Sequence, residues 1–132
     1  MEIITNSFEE TIKVAKNFAK TLQPGDVVLL DGDMGAGKTV FAKGVALALG
    51  ITDEITSPTY AYMNDYYGKL YHYDCYRLTC GEDAEALGLT DYFYMKGVCL
   101  IEWAQNVKDV LPKNCKRVQI LKLDENVRKI IL

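Results

Sequence analysis

The sequence is poor in positive charge, and this limits the kinds of partner that we expect. Its 132 residues contain 15 Lys and Arg against 18 Asp and Glu, which gives a net charge of -3 and a pI of about 5.1. Binding to nucleic acid through charge depends on clustered Lys and Arg side chains that contact phosphates. The composition therefore argues against a broad nucleic-acid surface and favours a protein or a small molecule as the partner.

Metal-ligand spacings, long apolar runs and targeting signals are also missing. The four cysteines show no C-x-x-C spacing, and a metal site built from them would have only one histidine, His72, to complete it. We interpret the cysteines as buried free thiols in a reducing cytosol. No apolar stretch is long enough to cross a bilayer, and the first ten residues lack the basic and apolar segments of a leader. We therefore expect no membrane contact and a cytoplasmic location.

The residues that are present have the composition of one globular domain. Hydrophobic residues make up 49% of the chain and charged residues 25%, and no repeat, low-complexity tract or linker interrupts it. A chain of this length can bury roughly two-thirds of its unfolded surface in a single core. We therefore predict one domain over residues 1–132.

Apolar periodicity predicts that helices alternate with buried strands. Ser7 and Glu10 form a capping-box pattern, so the first helix is expected to begin near Ser7 and to end at Pro24-Gly25. The other predicted elements are buried strands at DVVLL and VCLIEW, helices over 39–49, 82–87 and 104–111, a Tyr-rich hairpin over 59–74 that turns at Gly68, and two tail strands around Asp124–Asn126. This order predicts an α/β sandwich with a largely parallel centre and antiparallel additions.

A glycine-rich motif indicates the chemistry. The stretch from Gly32 to Thr39 satisfies G-x-x-x-x-G-K-[ST] between a predicted strand and a predicted helix, where backbone N–H groups and a helix dipole can face phosphate oxygens. Lys38 is expected to reach the β- and γ-phosphates, and Thr39 to ligate Mg²⁺. The alternative is a turn that only packs a helix on a sheet. We predict a P-loop NTPase-like sandwich, a mixed sheet with parallel central strands flanked by helices and an antiparallel hairpin, whose nucleotide-binding loop residues are Asp33, Met34, Gly35, Ala36, Gly37, Lys38 and Thr39.

Two carboxylate residues lie at the ends of predicted strands and are candidates for catalysis. Glu102 ends an apolar strand at the sheet edge where ligands collect in such folds, and we predict that it contacts Mg²⁺ directly or through a water. Its alternative is a solvated glutamate at a strand end. Asp74 ends the Tyr-rich strand, and a solvated turn residue is an equal alternative for it. His72 is interpreted as a hydrogen-bonded structural residue rather than a general base.

Two further features that the sequence lacks bear on which nucleotide is bound and which reaction is catalysed. The guanine-reading N-K-x-D pattern is missing, which favours ATP over GTP. Arginine occurs only at positions 77, 117 and 128, fewer than a small-molecule kinase usually needs to clamp two phosphate groups. Without an obvious arginine finger, we expect hydrolysis that is slow alone and accelerated by a partner. A small-molecule kinase and a nucleotide-gated binding module remain the alternatives.

Five segments of the chain stand out by their order and spacing: GDMGAGKT, SPTY (57–60), HYDCYRL (72–78), LGLTDYF (87–93) and LIEW (100–103). Together they resemble the bacterial TsaE (YjeE) family over nearly the whole chain. The resemblance implies a small Mg²⁺-dependent ATPase that supports formation of N6-threonylcarbamoyladenosine in tRNA. Its implied partner is a TsaB–TsaD complex, which makes the transfer, so that tRNA is contacted at most indirectly.

The same resemblance implies roles for individual residues. Lys38 and Thr39 would hold phosphates and Mg²⁺, with Glu102 on the metal side and Asp74 as a second active-site acid. The segment 57–59 is similar to a switch that senses the γ-phosphate through Thr59. Arg128 and the start of the first helix are the implied adenine contacts.

Overall fold

The computed structural model describes residues 1–58 and 60–132, so Thr59 lies outside the described residues. The chain divides into two compact units. The first, which we call the loop unit, comprises Met1–Leu22, Asp31–Thr56 and Arg117–Leu132, and the second, the carboxylate unit, comprises Gln23–Leu30 and Ser57–Lys116. The prediction of a single domain stays a prediction.

The described residues form strands and helices over most of the chain. The strands are β1 (Glu2–Thr5), β2 (Val27–Asp31), β3 (Met63–Tyr66), β4 (Leu70–Asp74), β5 (Val98–Glu102), β6 (Lys116–Lys122) and β7 (Arg128–Ile131). The α-helices are α1 (Phe8–Ala19), α2 (Lys38–Ala48) and α3 (Gly81–Ala86), and 3-10 helices cover Leu89–Tyr94 and Ala104–Val110. In this part of the chain no helix is long and apolar enough to cross a membrane.

The loop unit combines an antiparallel sheet with two packed helices. Strand β7 pairs with β1 on one side and with β6 on the other, both antiparallel. Helix α1 packs on α2 so closely that a Cβ on Gly44 would lie 2.5 Å from the Ala15 Cβ. The Ser7 hydroxyl caps α1 by accepting the Glu10 N–H at 3.1 Å, which confirms the predicted helix start. The helix ends at Ala19, before the predicted end, because residues 20–22 continue in turns.

The carboxylate unit contains the parallel strands that the apolar runs predict. Strand β5 pairs in parallel with β2 and with β4, and β3 pairs antiparallel with β4. The hairpin turns at Tyr67 and Gly68, whose φ angles of 60° and 66° are typical of the tight turns that connect adjacent strands. These pairings confirm the predicted α/β class, with parallel central strands and an antiparallel hairpin.

One face of this sheet carries the apolar core of the carboxylate unit. Tyr71 and Tyr73 of β4 and Ile101 of β5 lie in that core together with residues of α3 and of both 3-10 helices. Because alternate residues of a strand point to opposite faces, His72 and Asp74 point away from it. The helix predicted over 104–111 is a 3-10 helix interrupted at Val107, where φ is -131°. The sequence did not predict β1 or the 3-10 helix over Leu89–Tyr94.

Candidate functional site

The glycine-rich loop between β2 and α2 depends on glycine for two separate reasons. Gly35 and Gly37 have φ angles of 79° and 104°, in the region that side chains with a Cβ rarely adopt. Gly32 is needed for space instead, because a Cβ there would lie 2.8 Å from the carbonyl oxygen of Ile120. The N–H of Ala36 donates to the carbonyl of Asp33 at 3.0 Å and closes a turn inside the loop. The loop conformation is therefore set by the backbone.

Helix α2 begins directly after this loop. The N-cap residue Gly37, which precedes the helix, has no side chain to cap it, and the first turn of α2 contains no acidic residue. The first N–H groups of a helix carry partial positive charge and attract anions. Lys38 is buried and Thr39 is exposed at the start of the helix. This arrangement has the chemistry of a phosphate-binding helix start.

Arg128 lies in the loop unit, where its side chain contacts backbone carbonyls. Its guanidinium is buried, and Nε donates to the carbonyl of Ala36 in the loop at 2.8 Å. The structure thus brings Arg128 to the back of the glycine-rich loop, through a contact between residues 92 apart in sequence. The predicted contact of Arg128 with adenine stays a prediction.

Both candidate carboxylates lie at the carboxyl ends of adjacent strands in the carboxylate unit. Asp74 of β4 pairs in register with Glu102 of β5, and Glu102 pairs on its other side with Leu30 of β2. The exposed fractions of Asp74 and Glu102 are only 8% and 4%. Neither residue is the solvated strand-end or turn residue that the sequence left open as an alternative.

Glu102 is hydrogen-bonded to a fully buried histidine. The Nε2 atom of His72 lies 2.6 Å from Oε2 of Glu102. When Glu102 is a carboxylate, the hydrogen atom of this bond lies on Nε2, and Nε2 donates the hydrogen bond to Oε2. The bond fixes the position of that carboxylate oxygen. Among the residues that the structure describes, Nδ1 of His72 has no hydrogen-bond partner. The histidine is hydrogen-bonded, as predicted, but the sequence did not identify its partner.

Both oxygens of Asp74 are oriented by neighbours in the carboxylate unit. Oδ1 accepts the backbone N–H of Tyr76 at 3.0 Å, and Oδ2 accepts the hydroxyl of Ser57 at 3.1 Å. Burial, and secondarily the charge of Asp74, raise the pKa of the neighbouring Cys75 thiol to about 12. Ser57 begins the segment that contains the predicted γ-phosphate sensor Thr59, which lies outside the described residues. Asp74 is therefore held in place and linked to the start of that segment.

Aromatic residues lie beside these strand ends. Trp103 follows Glu102 with a left-handed φ of 58°, and its ring meets Tyr76 edge-on at a centroid distance of 5.0 Å. The guanidinium of Arg77 lies 4.4 Å from the centroid of the Tyr60 ring. Arg77 and Tyr60 are both exposed. The pairing of Arg77 with an exposed ring was not predicted, and the sequence spacing gives no local signal for it.

The chemistry of the candidate donors fits magnesium. The hydroxyl of Thr39 and the carboxylates of Asp74 and Glu102 are hard oxygen donors, which Mg²⁺ prefers. Within the described residues, no group of three or more His, Cys, Asp and Glu side chains could hold a metal ion by itself. Magnesium commonly binds to one or two carboxylates together with substrate phosphates and water rather than in a protein cage. Each of these donors, taken by itself, is therefore of the kind that suits a magnesium ion bound together with a phosphate ligand.

Comparisons with known proteins agree over nearly the whole chain. The sequence model of a family described as threonylcarbamoyl adenosine biosynthesis protein TsaE matches residues 5–130. The tRNA threonylcarbamoyladenosine biosynthesis protein TsaE of Bacillus subtilis is 43% identical over 125 residues, which are 92% of this chain and 78% of that protein. The protein of the same name from Treponema pallidum is 39% identical over 132 residues, 98% of each chain.

A solved structure shows the same fold. The crystal structure of Bacillus subtilis YdiB superimposes with a TM-score of 0.83 at 38% sequence identity, and the match covers 98% of this chain and 82% of that one. At this identity and coverage, the agreement confirms the predicted fold class and the family resemblance together.

Proposed function

The chain belongs to the TsaE family of threonylcarbamoyl adenosine biosynthesis proteins, and from this membership we propose that it is a magnesium-dependent ATPase of that tRNA-modification pathway. Its relatives are named for tRNA threonylcarbamoyladenosine biosynthesis. The observation that carries the ATPase part of the proposal is the glycine-rich loop, which enters α2 through Gly37 at a φ of 104°. Because the N-K-x-D pattern is absent, ATP is the proposed nucleotide.

In this proposal the loop unit binds the phosphates. Backbone N–H groups within Asp33–Thr39, other than that of Ala36, and those of the first turn of α2 donate to phosphate oxygens, and Lys38 neutralises charge on the β- and γ-phosphates. The Thr39 hydroxyl ligates Mg²⁺. When bound, the ion neutralises the charge that develops between the β- and γ-phosphates.

The carboxylate unit supplies the acidic groups. Glu102 is proposed to contact Mg²⁺ directly or through a water, with its Oε2 held by His72 at 2.6 Å. Asp74 is proposed to orient the attacking water, because both of its oxygens are already fixed by neighbouring donors. We propose that Thr59 senses the γ-phosphate. The hydrogen bond from the Ser57 hydroxyl to Asp74 would then connect the segment that contains Thr59 to this carboxylate.

Turnover is proposed to need a partner. P-loop enzymes without a positioned arginine finger hydrolyse at roughly 10⁻⁴ to 10⁻³ per second, and an added arginine can contribute about three to five orders of magnitude. Arg128 is engaged with backbone carbonyls, and Arg77 lies against a ring. We propose that a TsaB–TsaD-type complex accelerates hydrolysis and that tRNA is contacted at most indirectly. The free cysteines agree with the proposed cytoplasmic location.

The proposal is tested by ATP hydrolysis of the purified protein, with and without TsaB–TsaD. Lys38→Ala should weaken ATP binding by roughly 100-fold. Glu102→Gln should keep the fold and bind ATP in EDTA, but it should lose Mg²⁺-dependent turnover. The exposed residues Lys43 and Glu85 provide matched controls, Lys43→Ala and Glu85→Gln, which should behave as wild type.

Three results would contradict parts of the proposal. Hydrolysis at tens per second by the isolated protein would contradict the partner requirement. Transfer of labelled γ-phosphate to a metabolite would favour a small-molecule kinase. ATP-dependent capture of the partner without phosphate release would favour a nucleotide-gated binding module.

A further inference from the structure

Arg128 joins two segments of the loop unit that are distant in sequence. Its Nε donates to the carbonyl of Ala36 at 2.8 Å, and its Nη2 lies 3.5 Å from the carbonyl of Gly35. Its Nη1 contacts three carbonyls of the turn between β6 and β7, within residues 124–127, at 3.0, 3.1 and 3.2 Å. The planar guanidinium therefore connects the glycine-rich loop to this turn.

Among the residues that the structure describes, no carboxylate pairs with the buried charge of Arg128. Only 6% of the residue is exposed, and every acceptor that it contacts in the described chain is a neutral carbonyl. Buried charges in proteins are usually paired with an opposite charge, since desolvation of an isolated ion is costly. A buried cation behind a loop favours an anion bound on that loop. The unpaired charge thus points to an anionic ligand.

The contact with Arg128 also fixes the direction of a loop N–H. In a trans peptide the carbonyl and the following N–H point in opposite directions, and the chain contains no cis peptide among the described residues. With the Ala36 carbonyl held on Arg128, the N–H of Gly37 points away from the guanidinium. The N–H of Ala36 itself is already bonded to the carbonyl of Asp33.

We infer that Arg128 is a positioning residue for phosphate binding: it holds the loop so that the Gly37 N–H faces a bound phosphate, and its buried charge favours that anion. This inference rests on the nucleotide-binding function proposed above. It assigns Arg128 to the phosphate part of the ligand, through the loop, rather than to the adenine. If Arg128 only stabilised the turn between β6 and β7, replacing it would not change the affinity of the folded protein for phosphate.

The test compares ATP with inorganic pyrophosphate, which lacks a base. Arg128→Lys keeps the charge but loses the planar fork that reaches the loop and the turn together. Calorimetry should show ATP and pyrophosphate each bound about tenfold more weakly than by wild type, with the same factor for both. The control is Arg117→Lys, at an exposed position of β6 in the same unit, which should bind both as wild type does.

The outcomes separate this inference from the proposed function. Unchanged pyrophosphate binding by folded Arg128→Lys, with or without weaker ATP binding, contradicts the inference and leaves the ATPase proposal standing. Wild-type protein that binds neither ligand contradicts the proposed function and the inference with it. If the variant does not fold, pyrophosphate titration of ¹⁵N-labelled wild type tests the inferred direction of the Gly37 N–H. The Gly37 amide resonance should then shift among the most strongly, and an unshifted resonance contradicts the inference.

Discussion

The two units of the molecule present their candidate functional groups in different ways. In the loop unit most of these groups are backbone N–H groups, positioned by the positive φ angles of Gly35 and Gly37 and by the contact of Arg128 with the Ala36 carbonyl. In the carboxylate unit they are side chains, Asp74 and Glu102, each oriented by specific neighbours. The glycine-rich loop should therefore be sensitive to an added Cβ and tolerant of the removal of an exposed loop side chain such as that of Met34. In the carboxylate unit, replacing one donor should be enough to alter function.

The largest effect is expected from a methyl group added to the loop. Gly32→Ala places a Cβ 2.8 Å from the backbone carbonyl of Ile120, so the loop must move. Overpacking of this kind typically costs about 1–3 kcal/mol, and we expect ATP binding to weaken by up to roughly 100-fold. Met34→Ala removes a 73% exposed side chain from the same loop and should bind ATP within about twofold of wild type. Calorimetry measures both, and equal losses in the two variants would refute the backbone description of the loop.

A smaller effect is expected from removal of one donor in the carboxylate unit. His72→Leu deletes the hydrogen bond to Glu102, and loss of such outer contacts typically costs 10- to 100-fold in metal affinity or activity. We expect kcat with Mg²⁺ to fall by about tenfold, whereas ATP affinity in EDTA should be unchanged. His72→Gln can still donate from a terminal amide and should recover part of the loss. If His72→Leu weakened ATP binding in EDTA as much as it lowered kcat, the two units would not differ in the stated way.

The smallest effect is expected from thiol chemistry, which reports on the carboxylate unit alone because all four cysteines lie there. Burial is the main cause that raises the pKa of Cys75 and Cys99 to about 12. A raised pKa leaves the thiol neutral below it, so at pH 8 roughly one thiol in ten thousand is ionised. Iodoacetamide should label the half-buried Cys80 and Cys115 first, as followed by peptide mass mapping.

The same labelling sharpens the comparison between the units. Gly32→Ala should show the wild-type labelling pattern, since its defect lies in the loop unit. Rapid labelling of Cys75 at pH 8 in that variant would show that the damage has spread to the carboxylate unit.

Local sequence signals predicted most of the fold. The strands β2 and β5 are short apolar runs, and the turn at Gly68 separates two strands rich in Tyr, so each could be recognised within a few residues. Strand β1 could not, because its four residues are ordered by pairing with β7 at the other end of the sequence. The early end of α1 at Ala19 also lacks a strong local signal, since apolar periodicity continues to Leu22.

The candidate site shows the same limit. The position of Glu102 and Asp74 after apolar runs predicted that they lie at strand ends, and their burial counts against the solvated alternative. The bond from His72 to Glu102 depends on the register of two parallel strands, and the contact of Arg128 with Ala36 depends on the packing of β7. Periodicity and motif spacing contain neither kind of information.

The separation of Arg128 from the loop also has a consequence for synthesis of the chain. The ribosome completes the glycine-rich loop first, and 92 residues separate Ala36 from the arginine that holds its carbonyl. At typical elongation rates this interval is on the order of ten seconds. A nascent chain therefore exposes the loop before its conformation is fixed, and the loop acquires its supported geometry only when β7 has emerged.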